Sequence, residues 1–316
     1  MSTPRKPRTG NQYAISAGQW RATVTELGAS LRRLTWKGRD IVVPFDPDRL
    51  IPCSNGWILT PYPNRVKDGS YEFNGTTYQM PIDEVDRHTA LHGYSYRYMW
   101  KLEDLGESHV TLSWRAPDLA GYPFDITVTA TYALSERGLS QTVRVHNDDS
   151  VEAPWAFGIH PWLSNGGHAT GDAIDADNDR CRVELHCARH VTVDARLLPT
   201  GEEPVDGTPF DLRSNPALLN HVFDDAWTGV ERDAHGGTSA VFTRPDGLKV
   251  TLTGDETINA WQICTGTGFP EGIHQAGVAV EPMTAYADAF RSGKNLVRVR
   301  PGEDYATTIT YRAEDI

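Results

Sequence analysis

The most constraining feature of this chain is an alternation of apolar and polar residues with period two, repeated along nearly all of its 316 residues. Successive side chains of a strand point to opposite faces, so such a run is half-buried as a strand and has no coherent apolar face as a helix. Residues 13–17 and 19–26 read as paired strands turned near Gly18, and residues 31–36 and 41–43 continue the meander. Residues 70–73 and 77–80 flank Asn74-Gly75, a strong hairpin signal. Residues 109–114, 126–134 and 139–147 are long strands rich in Thr and Val, the last two joined at Arg137-Gly138. Further strands are expected at 183–187, 190–196, 238–243, 248–253, 260–265, 278–280, 296–299 and 305–311. No stretch of about 11 residues carries a 3.6 period. Short helical turns are expected only near residues 46–50, 216–220 and 283–292. The pattern predicts an all-β fold, a large antiparallel β-sandwich with few short helices. With no repeat or linker, residues 11–316 are expected to form a single domain behind a disordered basic tail, residues 1–10.

Composition narrows the function. A hydrophobic fraction of 39% with nine tryptophans supports a sizeable core, and a formal net charge of −12 argues against nucleic acid or anionic membrane as partners. A neutral small molecule suits it better. No apolar run approaches the roughly 20 residues that cross a bilayer, and no apolar signal segment follows the basic start. The four cysteines form no CxxC pair, so reduced thiols and a cytoplasmic location are expected, as a monomer or homodimer. Cys181, Cys187, His186 and His190 fit no standard zinc spacing, and strand alternation sends neighbours to opposite faces; no metal is expected.

Two proline-locked ionisable groups stand out. In Val278-Ala279-Val280-Glu281-Pro282 a carboxylate ends an apolar strand. It must face a pocket, be paired, or shift its pKa, while Pro282 removes a donor and is expected to stop the strand there. Phe157-Gly158-Ile159-His160-Pro161-Trp162 repeats the design with an imidazole. A structural salt bridge explains either alone; together they point to an acid/base pair. Asn64-Arg65-Val66 follows two prolines, a rigid platform for a forked donor to an oxygen-rich ligand. Leu91-His92-Gly93 sets an imidazole beside a glycine that permits close approach to the backbone. Phe223-Asp224-Asp225-Ala226-Trp227 combines carboxylates that accept from hydroxyls with rings that cover a sugar's apolar face. Trp57, Trp100, Trp155, Trp162 and Trp261 add candidate aromatics, while His88, His146 and His168 read as structural. GxGxxG after a strand, GxxxxGK(S/T), GxSxG and HExxH are all missing, so dinucleotide, ATP, serine-hydrolase and zinc-protease readings have no support.

Taken together these residues resemble the aldose 1-epimerase (galactose mutarotase) family, most closely a bacterial branch with a Glu-Pro-Met-Thr acid motif. The matching elements run in family order: residues 61–66 with 69–75, Leu91-His92-Gly93, Gly158-Ile159-His160-Pro161, Leu198-Pro199-Thr200-Gly201, Phe210-Asp211-Leu212-Arg213, Phe223-Asp224, and residues 278–284 with Asp288-Ala289-Phe290. The resemblance implies the family's supersandwich, Glu281 as general base and His160 as general acid, with Arg65, His92, Asp224 and Asn64 binding the sugar. Asp225 competes with Asp224; the position after Phe223 favours Asp224. The chain departs from many galactose-type members at Pro161, where they carry an aromatic, so galactose is not fixed as substrate. The implied reaction interconverts the α and β anomers of a free hexose by acid/base ring opening and closure, with no cofactor. It requires a protonated His160 beside an ionised Glu281, and a shared cleft is expected to raise the imidazole's pKa and lower the carboxylate's.

Three other readings stay open. An anionic sugar with a C6 phosphate or sulfonate needs a second cation near the site, for which Lys67, Arg87 and Arg97 are candidates. A non-catalytic carbohydrate-binding protein has no use for the acid/base pair. A glycoside hydrolase needs two carboxylates across the bond, and only Asp224 is available to partner Glu281.

Overall fold

The computed structural model describes residues 5–167 and 173–316. Two eight-stranded antiparallel sheets dominate. One runs in the order Lys101–Leu105, His109–Arg115, Ile126–Ser135, Gly138–Asn147, Asp304–Asp315, Leu248–Gly254, Thr238–Thr243 and Arg182–Leu185. Its strands show the alternation read from sequence: along Ile126–Ser135 every second residue is buried. The second sheet runs Pro199–Pro204, Cys187–Val193, Asp224–Val230, Ala260–Cys264, Gly277–Met283, Gly158–Ile159 and Ile58–Leu59, with Trp162–Ser164 also paired to Gly277–Met283. A single apolar cluster contains Val128, Tyr132 and Val143 of the first sheet and Trp227, Trp261, Ile263 and Val280 of the second. The fold is therefore the expected large β-sandwich. A four-stranded meander over residues 12–40 packs against the same core.

The described residues hold two α-helices, Ala173–Asp179 and Ala289–Ser292. The second lies inside the expected helical turn at 283–292, whereas 46–50 and 216–220 form turns without a helix. Residues 41–43 do not extend the meander as expected. The meander's last strand is Arg39–Asp40, and Val42 instead bridges to Leu163 of the second sheet. At the N-terminus, Thr9 is buried, donates to the Pro47 carbonyl and accepts from Leu27 N–H, so the ordered chain begins before residue 11. Residues 1–4 lie outside the described part, as does His168.

One departure builds the site. The strand does not stop at Glu281: Gly277–Met283 runs through Pro282, with residues 279–283 paired on one side with Ala260–Cys264. On its other side the ladder is interrupted. Gly158 pairs with Met283 and Trp162 with Ala279. Both pairs share one register, which sets His160 opposite Glu281 in the gap. Prolines on the two facing chains remove N–H donors there, so regular pairing lapses at the acid and the imidazole. The His160 backbone is secured from the far side instead, donating to Trp57 O at 3.1 Å and accepting from Gly56 N–H at 2.9 Å.

Candidate functional site

Residues directly opposite in an antiparallel ladder share a face, with Cβ atoms about 5 Å apart. Gln262 is opposite Glu281, and Ala226 is opposite Gln262. One face of the second sheet therefore carries, in a row, His160, Glu281, Gln262 and, two residues before Ala226, Asp224. Asp225 is opposite Ile263 and points to the core face. The ambiguity between the two aspartates is a matter of alternation, and Asp224 is the one that reaches the cavity.

That cavity has a volume of about 140 Å³ and is lined by Asn64, Arg65, His92, His160, Asp224 and Glu281, with Cys53, Ser54, Leu91, Trp162, Cys264 and Phe269. All six candidate residues are brought together. An engineered apolar cavity of about 150 Å³ holds one benzene ring, so the space here is on the scale of a single six-membered ring. His160 Nε2 and Glu281 Oε1 are 3.4 Å apart, with side chains 9% and 2% exposed. The other two polar atoms of the pair, His160 Nδ1 and Glu281 Oε2, are buried with no hydrogen-bond partner among the described residues. Orphaned polar atoms of this kind are destabilising by about 1–3 kcal/mol each.

Electrostatics in the free site run opposite to the sequence expectation. Burial pushes the His160 imidazole down to about 3, and burial with the nearby Asp224 charge pushes the Glu281 carboxyl well above its ordinary value, against the pull of Arg65. Desolvation outweighs mutual attraction, so burial favours the neutral form of both groups.

The remaining side chains are fixed by two loops clipped together. Asn64 N–H donates to His92 Nδ1 at 3.1 Å, and His92 N–H donates back to Asn64 O at 2.9 Å. With Nδ1 accepting, His92 keeps its proton on Nε2, and burial, reinforced by the nearby Arg65 charge, holds its pKa well below the usual value. Both residues have positive φ, 56° at Asn64 and 61° at His92, a conformation that the reciprocal bonds hold in place. Gly93 does not open the backbone to a ligand as expected: it packs on the chain itself, bridging to Thr60.

Arg65 lies in Arg65–Lys67, paired with Thr89–Leu91. Its guanidinium makes a two-pronged contact with Glu84 (2.7 and 3.0 Å), donates to Asn64 Oδ1 at 3.3 Å and faces Asp224 at 3.7 Å. Burial opposes its charge, but Glu84 and Asp224 hold its pKa above the ordinary value. Gln262 links the two halves of the site, accepting from Asn64 Nδ2 at 3.3 Å and donating to Asp224 Oδ1 at 2.8 Å. Neither Glu84 nor Gln262 was singled out from sequence. Gln262 had a signal, a lone amide in Ala260-Trp261-Gln262-Ile263-Cys264; Glu84 had none.

The expected aromatics divide differently. Phe223 and Trp227 are core residues, as are Trp100, Trp155 and Trp261. Trp57 stacks on Tyr96 away from the cavity. Trp162 and Phe269 line it, Trp162 lying 5.9 Å from His160 between ring centroids. His88 and His146 pair with Asp68 and Asp304 at the surface. Cys181 and Cys187 are buried thiols; His186 lies between Glu184 and Glu231, and His190 binds Asp225. No helix among the described residues is long and apolar enough to cross a membrane.

The sequence model of the aldose 1-epimerase family matches residues 11–312. The chain belongs to the aldose 1-epimerase family. Membership indicates an isomerase. The chain is similar to the uncharacterized protein YihR of Escherichia coli K12, 29% identical over 94% of this chain and 91% of that one. It is also similar to the galactose mutarotase of Homo sapiens, 25% identical over 81% of this chain and 78% of that one. Among solved structures, the GalM/aldose epimerase homologue from C. elegans superposes with a TM-score of 0.81 at 21% identity, covering 97% of this chain and 99% of that one. A putative aldose 1-epimerase from Escherichia coli K12 gives 0.80 at 18% identity over 97% and 99%. At those identities the structural likeness speaks for the fold alone.

Proposed function

We propose that this family member is a mutarotase of a free, uncharged hexose, in the branch with the Glu-Pro-Met-Thr acid motif, and that Glu281 and His160 are its general base and general acid. The observation that carries the reading is the buried Glu281–His160 contact at 3.4 Å on the wall of a one-ring cavity, with an unpartnered atom on each group. Glu281 takes the proton of the sugar's O1 hydroxyl, His160 gives one to the ring oxygen, and the C1–O5 bond breaks to leave an open-chain aldehyde. Rotation about C1–C2 and the reverse transfers close the other anomer and restore both groups. Asp224, Arg65, His92 Nε2–H and Asn64 bind the hydroxyls that remain.

The neutral resting pair is compatible with these roles. A neutral acid with a neutral imidazole holds as many protons as a carboxylate with an imidazolium, so one proton shift along a 3.4 Å line converts them. Sugar hydroxyls donating to the carboxylate favour the charged form once the substrate is bound. Among the described residues Arg65 is the one cation lining the cavity, while Arg87 and Arg97 are committed to Glu84 and Asp83. That supports a neutral sugar over a C6 phosphate or sulfonate.

Polarimetry or NMR anomer exchange on a panel of freshly dissolved hexoses tests the reading. Wild type is expected to accelerate exchange, and Glu281→Gln to lose about 10²–10⁴-fold while still binding sugar. Wild-type turnover in Glu281→Gln, or no acceleration on any hexose, refutes it.

A further inference from the structure

Asp225 stands next to the cavity-facing Asp224, yet it points to the opposite face and has partners of its own. Its Oδ1 lies 2.8 Å from His190 Nε2, and since a carboxylate only accepts, the imidazole N–H donates. Its Oδ2 accepts the backbone N–H of Asp224 at 3.1 Å. One carboxylate thus ties the His190 ring to the peptide plane that carries Asp224.

The ladder shows why that plane needs a partner. Pairing between Cys187–Val193 and Asp224–Val230 ends at His190 opposite Trp227. Among the described residues, 224–226 therefore have a neighbouring strand on one side only, Ala260–Cys264. Thr265 N–H bonds to Phe223 O across that ladder at 3.0 Å, so by antiparallel alternation Asp224 turns its own N–H to the other side, where no strand continues. The Asp225 carboxylate fills that place. Its anchor is rigid: the buried His190 ring stacks on Phe210 with centroids 3.5 Å apart and planes 12° apart, and Trp227 closes its edge at 5.6 Å.

We propose that Asp225 and His190 are positioning residues, which fix the main chain of Asp224 from behind and so aim its carboxylate at the sugar between Gln262 and Arg65. The inference rests on the reading of Asp224 as a sugar ligand. Glu281 and His160 lie on the far side of Gln262 and do not touch the brace, so its loss weakens substrate binding more than the chemical step.

Anomer-exchange kinetics of Asp225→Ala, Asp225→Asn, His190→Phe and Asp224→Ala test it, each with its folded fraction measured by circular dichroism. Asp225→Ala is expected to raise KM about 5- to 20-fold with kcat within about twofold, in line with freeing a buried donor. Asp225→Asn retains an oxygen for the Asp224 N–H and is expected to recover most of the loss. His190→Phe keeps the stack but not the donor, and is expected to raise KM about 3- to 5-fold. The two conservative variants decide the matter if Asp225→Ala does not fold. Unchanged KM in the brace variants while Asp224→Ala raises it overturns the brace and spares Asp224 as ligand. A fall in kcat that only follows the folded fraction also overturns it. Unchanged KM in Asp224→Ala overturns both.

Discussion

Replacing His160 with Asn and following stability with pH reads the charge state of the resting acid/base pair directly. In the unfolded chain the imidazole titrates near 6.5, whereas in the folded protein burial holds it near 3. Between those values the unfolded state binds the extra proton, so His160 makes the wild type less stable as pH falls. One unit of difference is worth 1.36 kcal/mol, and integrating between pH 7.5 and 4.5 gives a loss of about 2.7 kcal/mol. Glu281 has the opposite sign: its raised pKa means that stability drops as pH climbs through the window above 4.5. Repeating the comparison in a Glu281→Gln background removes that contribution, since groups 3.4 Å apart do not titrate independently. The assay is urea unfolding of wild type and His160→Asn at half-unit steps from pH 4.5 to 7.5, plotted as the difference in unfolding free energy. The wild type is expected to lose about 2.7 kcal/mol relative to the variant across that range. An imidazolium–carboxylate pair in the free enzyme predicts the reverse, with the wild type gaining as pH falls, because its folded imidazole pKa would then lie above 6.5. A flat or rising difference therefore refutes the neutral pair.

Three further outcomes follow from the geometry. Arg65→Lys removes the two-pronged contact with Glu84 and is expected to raise KM about tenfold in anomer-exchange assays with little change in fold, since a single ammonium cannot reproduce the fork. Gln262→Ala cuts the link from Asn64 to Asp224 and is expected to weaken sugar binding about 10-fold by titration, while the pH dependence of the Glu281–His160 pair stays as in wild type. Gly93→Ala sets a Cβ 2.0 Å from Thr60 O at φ +72°, both of them backbone constraints, so a loss of about 3 kcal/mol or more is expected in urea unfolding.

Legibility in the sequence follows how local each physical cause is. Most long strands of the first sheet were readable to within a residue or two because one face is core and the other wet, as in Ile126–Ser135, whereas Asp304–Asp315 runs four residues past its expected end at 311. Ala260–Cys264 and Gly277–Met283 are buried on both faces, so alternation is lost and the eye falls on their misfits instead. Of the two polar misfits in these strands, the acid Glu281 was singled out and lines the cavity, while the amide Gln262, which ties Asn64 to Asp224, was passed over. The helix Ala173–Asp179 was not readable, since it buries only Ile174 and Asn178 and carries no apolar stripe. Glu84 was silent for another reason. Its four donors, from Arg65, Arg87 and Thr89, converge only when a loop folds back on the strand Arg65–Lys67.

The direction of the acid/base pKa shifts was the reading that failed. The proline arithmetic named two residues that the fold brings together: Gly158 opposite Met283 and Trp162 opposite Ala279 share a register that leaves His160 facing Glu281. Attraction between opposite charges was then taken to decide their protonation. Enclosure decides it instead, because the prolines that open the ladder also bury both side chains beneath Trp162 and the 64–65 and 91–92 loops, where desolvation exceeds what a 3.4 Å contact returns. Under the mechanism proposed above, a pair kept neutral by burial and charged only against sugar hydroxyls would place its electrostatic stabilisation in the bound state, so that burial of the free site would couple the acid and the base to substrate arrival.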